Sequence, residues 1–238
     1  MLLYYIRHGD PIYNPDQLTP LGKRQAEAIG KRLAIHGIDK IYSSTSTRAY
    51  QTAQPLAEML KKEITQLEFC HENLAWADLT VTREDGRKTW AFTDLKTARL
   101  FISPEVRRLD ENWYDHPAFA EYNFKQGIQR IQREADAFLE SLGYKHIREK
   151  NIYQAIHPNE DRVALFAHEG FGMAFLSSVL DIPYPMFCTH FSMSHTGMSV
   201  IEFKEKDGFA TARALMVASD GHLYREGLHT NYQNVIRV

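Results

Sequence analysis

Short apolar runs alternate with amphipathic stretches along much of this 238-residue chain. The run at residues 2–6 is almost wholly apolar and contains no turn residue, which is typical of a strand buried on both faces. Similar runs predict further strands at 38–42, 64–69, 162–167, 199–203 and 210–217. We expect the last two to pair antiparallel at the edge of the sheet, because a turn around Asp207 and Gly208 joins them.

Helices are predicted between these strands. Thr19 and Pro20 have the pattern of an N-cap followed by proline in the first turn, and Gly37 is expected to end that helix. A second helix follows the hydroxyl-rich turn at 43–47 and is predicted to bend at Pro55. Further helices are predicted at 121–142 and 171–180, and 221–238 resembles a tail. This alternation predicts an α/β three-layer sandwich, a mostly parallel central sheet with helices on both faces.

The alternation breaks between residues 80 and 158, where charged turns and aromatic residues dominate. We therefore predict one domain over 1–238 with an inserted cap or lid at about 80–120. Trp113, Tyr114 and His116 lie in this insertion. They are expected to form its own small core, with contact to substrate as the alternative.

Composition narrows the possible classes of protein. A hydrophobic share of 44% and a charged share of 24% are those of a globular protein, and a formal charge of −2 gives no reason to expect a nucleic-acid partner. No apolar run is long enough to cross a membrane, and no signal-peptide pattern is seen. Cys70 and Cys188 provide no disulfide framework and fit a reducing cytoplasm. The sequence does not indicate an oligomeric state.

Basic side chains follow two of the predicted buried strands. Arg7 and His8 end the first strand, and His168 ends the strand at 162–167. Arg48 falls in the first turn of a helix, where the dipole disfavours a cation unless an anion lies between them. Because ligands of open α/β sheets bind at the carboxyl ends of the strands, these residues predict a small positive pocket for a phosphate group.

This set of groups suits phosphoryl transfer. Nearby positive charge disfavours imidazolium, so at least one histidine should be neutral and able to attack phosphorus. The arginines would then stabilise the charge on the phosphoryl oxygens, and the leaving alkoxide would need an acid.

Several motifs together resemble the histidine phosphatase superfamily, also called phosphoglycerate mutase-like, and within it the small-enzyme branch. They cover about the first 75 residues and 163–203. The motifs are Arg7-His8-Gly9, Leu18-Thr19-Pro20-Leu21-Gly22, Ser43-Ser44 with Arg48 and Gln51-Thr52-Ala53, and His168-Glu169-Gly170.

The resemblance implies that His8 is the phosphorylated nucleophile and that Glu72 is the proton donor. It implies no metal and no organic cofactor, and a small phosphorylated substrate. The implied phosphate-binding residues are Arg7, Arg48, Asn14 and His168.

Two departures from the family pattern bear on these roles. Glu169 stands where this branch usually has glycine, and the acid-phosphatase branch has an acidic donor there. Glu169 is therefore a rival to Glu72 as the acid; we prefer Glu72, for which the alternative is a solvated loop position. Residues 10–13 also lack the glutamate and serine that mutases tend to carry.

Three functions follow from these residues. The first is a phosphomonoester hydrolase acting through phosphohistidine on a small metabolite. The second is a phosphoglycerate-type phosphomutase, and the third is a non-catalytic module that binds phosphorylated ligands. The mutase would need further cations for a carboxylate, and the insertion offers Arg83, Arg87, Lys88, Arg99, Arg107 and Arg108.

The other histidines have weaker support as site residues; they include His71, His116, His190 and His195. A zinc site at Cys70 and His71 lacks the usual ligand spacing.

Overall fold

The computed structural model describes residues 1–230, so part of the predicted tail at 221–238 lies outside the described residues. The predicted tail begins with a short helix, Gly221–Arg225. In chain order, the strands are β1 (Leu2–Arg7), β2 (Pro11–Tyr13), β3 (Asp16–Leu18), β4 (Lys40–Ser44), β5 (Ile64–Leu67), β6 (Thr80–Thr82), β7 (Lys88–Trp90), β8 (Tyr144–Ile147), β9 (Ile152–Ala155), β10 (Arg162–Ala167), β11 (Met198–Lys206) and β12 (Phe209–Ser219). The helices are α1 (Pro20–His36), α2 (Thr47–Leu60), α3 (Glu72–Asp78), α4 (Leu95–Phe101), α5 (Pro104–Arg108), α6 (Phe124–Ser141), α7 (Glu169–Val179), α8 (Tyr184–His190) and α9 (Gly221–Arg225).

The central sheet has eight strands in the order β5-β4-β10-β1-β11-β12-β9-β8. Strands β5, β4, β10 and β1 run parallel to one another, and antiparallel pairing begins at β11. The predicted mixed α/β sheet is therefore confirmed, with its parallel part formed by the strands that precede the basic residues.

The predicted antiparallel pairing of β11 with β12 is confirmed, but their predicted place at the sheet edge is wrong. Strand β11 lies beside β1 in the middle of the sheet, and the β8–β9 hairpin pairs beyond β12. Strands β8 and β9 have only four residues each and carry polar side chains, so their sequence does not stand out.

Helices cover both faces of the sheet. Alternate residues of β1 point to opposite faces, as a strand requires. Leu3 and Tyr5 belong to the core cluster that includes α6 and α7, whereas Tyr4 and Ile6 belong to the cluster that includes α1 and α2. The predicted three-layer arrangement is confirmed.

The predicted signals at the ends of α1 are present in the structure. The Thr19 side chain accepts a hydrogen bond from the Gly22 N–H at 3.0 Å, and the Gly37 N–H donates to the Ala34 carbonyl. Ser46 caps α2, which continues through Pro55 to Leu60. Helices α6 and α7 form within a few residues of their predicted bounds.

Residues 80–123 contain the β6–β7 hairpin, α4, α5 and short helical turns, and their buried side chains join the main core. Its aromatic side chains pack on one another around Trp113, which is 2% exposed. The neighbours of Trp113 are Phe101, Tyr114, Phe119, Phe124 and Tyr184. The prediction that Trp113 belongs to a separate core of the insertion is wrong, because Phe124 of α6 and Tyr184 of α8 join it to the main hydrophobic core.

Membrane insertion through a helix finds no support in the described residues. Within 1–230, no helix combines the length and the apolar character needed to span a bilayer.

Candidate active site

His8 and His168 follow neighbouring parallel strands. Arg7 and Ala167 are partners in the β1–β10 register, and the His8 N–H donates to the Ala167 carbonyl at 2.9 Å. The imidazole that follows each strand is buried, and the two ring centroids lie 5.3 Å apart. The sheet thus brings together two histidines that are 160 residues apart in the sequence.

The ring of His8 is held in one tautomer. Its Nδ1 lies 2.7 Å from the Gly9 carbonyl oxygen, which only accepts, so Nδ1 carries the proton and Nε2 keeps its lone pair. Burial lowers the pKa of His8 well below its usual value, and the charges of His168, Arg7 and Arg48 lower it further. His8 is therefore neutral near pH 7, as nucleophilic attack requires.

Gly9 and Gly22 fix the loop that carries His8. A Cβ on Gly9 would lie 2.7 Å from the Gly22 carbonyl oxygen, and one on Gly22 would lie 2.2 Å from the Asp10 carbonyl oxygen. The Gly9 N–H also donates to Thr52 Oγ1 at 3.0 Å. Only glycine permits this close approach of two backbones, which explains both motif glycines.

His168 is fully buried and contacts the hydroxyl-rich turn. Its Nε2 lies 2.9 Å from Ser44 Oγ and 3.3 Å from Ser46 Oγ, so these hydroxyls orient the ring. Its Nδ1 lies 3.1 Å from both Glu72 Oε2 and Arg48 Nη2. Burial lowers the pKa of His168; Glu72 opposes this shift, and Arg48 adds to it.

Arg48 is buried, and the anion expected between it and the start of α2 is a carboxylate of the chain itself. Asp16 accepts from Arg48 Nη1 at 2.7 Å and from the Thr47 N–H at 2.8 Å. Arg48 Nη2 also lies 3.7 Å from Glu72 Oε2, and its guanidinium lies over the Tyr13 ring at 5.3 Å. Asp16 thus explains a cation at the positive end of a helix.

The two candidate acids occupy different surroundings. Glu72 contacts His168 and accepts from the Phe171 N–H at 3.2 Å. Burial acts to raise the pKa of Glu72, but His168, Arg48 and the Phe171 N–H together lower it. Glu169 instead forms a 2.8 Å ion pair with Arg7 and accepts from Ser192 Oγ and the Met193 N–H. Glu72 is therefore the acid next to the histidines.

Arg7 is held on two sides, by Glu169 and by the Met193 carbonyl oxygen, to which it donates.

Asn14 is exposed in the turn between β2 and β3. No hydrogen bond joins Asn14 to the buried side chains in the part of the chain that the structure describes, and its role as a phosphate ligand stays a prediction.

Two histidines that had weaker support from the sequence lie close to the site. The His195 ring centroid lies 5.7 Å from that of His8, and burial together with Arg7 lowers the pKa of His195 to about 4. His71 caps α3, and its ring lies 6.3 Å from that of His168. No local pattern marks either histidine, because each reaches the site through the fold of a loop.

A cavity of about 510 Å³ opens beside Arg48 and Glu72. Aromatic and polar side chains surround it. They are Tyr13, Asp16, Arg48, His71, Glu72, Asn73, Trp76 and Trp90.

Ligand-type atoms of His8, Glu72 and His168 lie within 4.8 Å of one another, which is a spacing that could suit a metal ion. The Arg48 guanidinium, however, lies within 4 Å of both His168 and Glu72. Asp16 and Glu72 offset part of the charge of this guanidinium. Arginine carries only donors, so it can bind phosphoryl oxygens but cannot coordinate a metal ion, and its presence among these groups fits a phosphoryl group better than a metal.

Comparison with known proteins finds a family match over the first part of the chain. Residues 3–99 match the model of the histidine phosphatase superfamily, branch 1. Over 153 residues the chain is 23% identical to phosphoserine phosphatase 1 of Hydrogenobacter thermophilus, covering 60% of this chain and 65% of that protein. The first part of the chain therefore matches the histidine phosphatase superfamily, and the chain is similar to a protein named as a phosphatase.

Solved structures agree on the fold. A structure named mycobacterial hydrolase 1 superposes with a TM-score of 0.60 at 20% identity, covering 92% of this chain and 98% of that one. Phosphoserine phosphatase from Entamoeba histolytica, in complex with 3-phosphoglyceric acid, superposes with a TM-score of 0.59 at 18% identity, covering 93% and 98%.

Proposed function

We propose that this chain hydrolyses a small phosphomonoester through a phosphohistidine on Nε2 of His8. The observation that carries the proposal is the 2.7 Å hydrogen bond from His8 Nδ1 to the Gly9 carbonyl oxygen. That bond leaves the lone pair on Nε2, in a ring that burial keeps neutral. A neutral imidazole beside two guanidiniums is suited to attack phosphorus.

The reaction then has two displacements. In the first, the Nε2–P bond forms, the P–O bond to the alcohol breaks, and Glu72 gives its proton to the leaving oxygen. In the second, water attacks phosphorus, the Nε2–P bond breaks, and Glu72 takes a proton from the water. Arg7, Arg48 and His168 stabilise the phosphoryl oxygens in both steps.

Because its pKa is lowered, Glu72 is ionised before substrate binds and has no proton to donate. Substrate binding must therefore protonate this carboxyl group. A phosphate dianion close to Glu72 adds negative charge and raises the pKa of the carboxylic acid. The acid therefore forms as the complex forms.

Hydrolysis is favoured over phosphoglycerate-type mutase activity by the charge of the cavity. Its one arginine, Arg48, is already paired with Asp16. The six basic residues of the insertion are exposed, and the described cavity includes none of them. A non-catalytic binding module is disfavoured because a nucleophile and an acid are both present.

The test is release of nitrophenol from p-nitrophenyl phosphate in excess EDTA, with protein denatured in alkaline detergent assayed for phosphate bound to histidine. We expect turnover by the wild type, a trapped phosphohistidine, and a loss of both in His8→Ala. His190→Ala, at an exposed histidine outside the cavity, is the matched control. Turnover by His8→Ala equal to that of the wild type would contradict the proposal.

Further parts of the proposal are that no metal takes part, that residues 80–120 act as a cap over a single domain, and that Asn14 reaches the phosphate. Activity retained in excess EDTA would support a reaction without a metal ion. A cytoplasmic location is also proposed, supported by the two free, buried cysteines, Cys70 and Cys188.

A further inference from the structure

Three aromatic side chains, Tyr13, Trp76 and Trp90, line the cavity beside Glu72. The Trp90 ring is fixed, because it packs on Gly170 so closely that a Cβ there would lie 2.3 Å from its Cζ2. It also stacks on Phe92 with ring centroids 5.8 Å apart. Trp76 meets Trp90 edge to face at 5.0 Å and stays 36% exposed. Trp76 therefore presents indole surface to the cavity from a supported position.

The charges around the same cavity do not favour a second anion. Its described lining contains one arginine, Arg48, and two carboxylates, Asp16 and Glu72. Arg83, the basic residue of the insertion nearest in sequence to Trp76, lines a separate cavity together with Glu84 and Asp85. A carboxylate on the leaving alcohol would thus meet like charge without a free cation.

We propose that the preferred substrate is a phosphate ester of an alcohol that bears an aromatic ring and no carboxylate. The ring would lie on the indole surface of Trp76 while the phosphoryl group lies between His8, Arg7 and Arg48. This inference rests on the proposed phosphatase function and adds the class of leaving group. Trp76 is the residue to which it assigns specificity.

The test compares benzyl phosphate with O-phosphoserine and 3-phosphoglycerate as substrates of the wild type. Benzyl phosphate and O-phosphoserine both release a primary alcohol, so intrinsic reactivity does not decide between them. We expect kcat/KM for benzyl phosphate to exceed that for O-phosphoserine about tenfold, the size of a good aromatic contact. An equal or higher value for O-phosphoserine would overturn the inference.

Substitutions test whether Trp76 is the source of the preference for benzyl phosphate. Trp76→Ala should lower the ratio of the two kcat/KM values about tenfold, and Trp76→Phe should restore most of it. Tyr224→Ala removes a 91% exposed aromatic side chain outside this cavity and should leave the ratio unchanged. Asn73→Arg adds a cation to the cavity lining and should raise kcat/KM for 3-phosphoglycerate several-fold. A ratio that is insensitive to Trp76→Ala would count against the assignment.

The two proposals fail in different ways. Hydrolysis that depends on His8 but favours carboxylated esters contradicts only the substrate class. If no ester is hydrolysed, the phosphatase function fails, and binding decides the substrate class. Calorimetry should then show tighter binding of benzylphosphonate than of 3-phosphonopropionate, and the reverse order would overturn the inference.

Discussion

Glu169 forms a 2.8 Å ion pair with Arg7, whereas Glu72 lies 3.1 Å from the imidazole of His168. The sequence left these two carboxylates as rivals for the role of proton donor. Their partners separate them, because Glu169 holds the guanidinium of Arg7 and Glu72 adjoins the histidines. The acid of the reaction is therefore expected to be Glu72.

Glu72→Gln should reduce kcat for benzyl phosphate about 10²–10⁴-fold, the usual contribution of general acid catalysis. The loss should be much smaller for p-nitrophenyl phosphate, because nitrophenolate leaves without a proton. Steady-state kinetics with both esters measures this difference. Glu169→Gln is the matched control and should affect both esters equally. A leaving-group dependence found in Glu169→Gln and not in Glu72→Gln would reverse the two roles.

Asp16→Asn should make inorganic phosphate a stronger inhibitor, with an inhibition constant lower by roughly three- to tenfold. The reason is that Asp16 holds Arg48 and the Thr47 N–H, two groups that an incoming anion would use. Competitive inhibition at fixed pH and ionic strength measures the effect. Asp85→Asn removes a carboxylate paired with exposed Arg87 and should have no effect. Weaker inhibition in Asp16→Asn would show that Asp16 is needed to position Arg48.

The pH dependence of kcat/KM should show no loss from protonation of His8 as the pH falls through 6.5. The pKa of His8 lies well below that value, so the ring stays neutral and nucleophilic there. Titration of the histidine ring carbons by NMR, with His8→Ala for assignment, measures the pKa directly. A titration of His8 near 6.5 would contradict the burial that the structure shows.

The free energy of unfolding should fall as the pH is lowered from 7 to 5. Burial lowers the pKa of both His195 and His222 to about 4, so the unfolded chain binds protons that the folded chain does not. Stability therefore rises with pH between about 4 and 6.5, and each histidine costs about 2 kcal/mol by pH 5. Urea unfolding at both pH values measures this. His222→Asn should reduce the difference, and an unchanged difference would contradict the assignment to His222.

The sequence predicted the parts of this protein that depend on local pattern. Buried strands appear in the sequence as continuous apolar runs. His8 and His168 come directly after two such runs, β1 and β10, so their places at the ends of these strands could be predicted. The β8–β9 hairpin was missed because its strands are short and polar. Asp16 and Trp76 were missed, and His195 was assigned a loop role, for another reason. They reach the site through contacts between distant segments, and no local signal reports such contacts.

The hydroxyl of Tyr5 donates to the carbonyl of His168 at 2.6 Å and accepts from its N–H at 3.3 Å. This side chain of β1 therefore ties the backbone at the second histidine to the strand that carries the first. The distance between the two imidazoles is consequently set by the rigid centre of the sheet and not by surface loops. Residues that line the cavity away from these strands, such as Trp76 of α3, can then be exchanged to change what the cavity accepts while the two histidines keep their alignment.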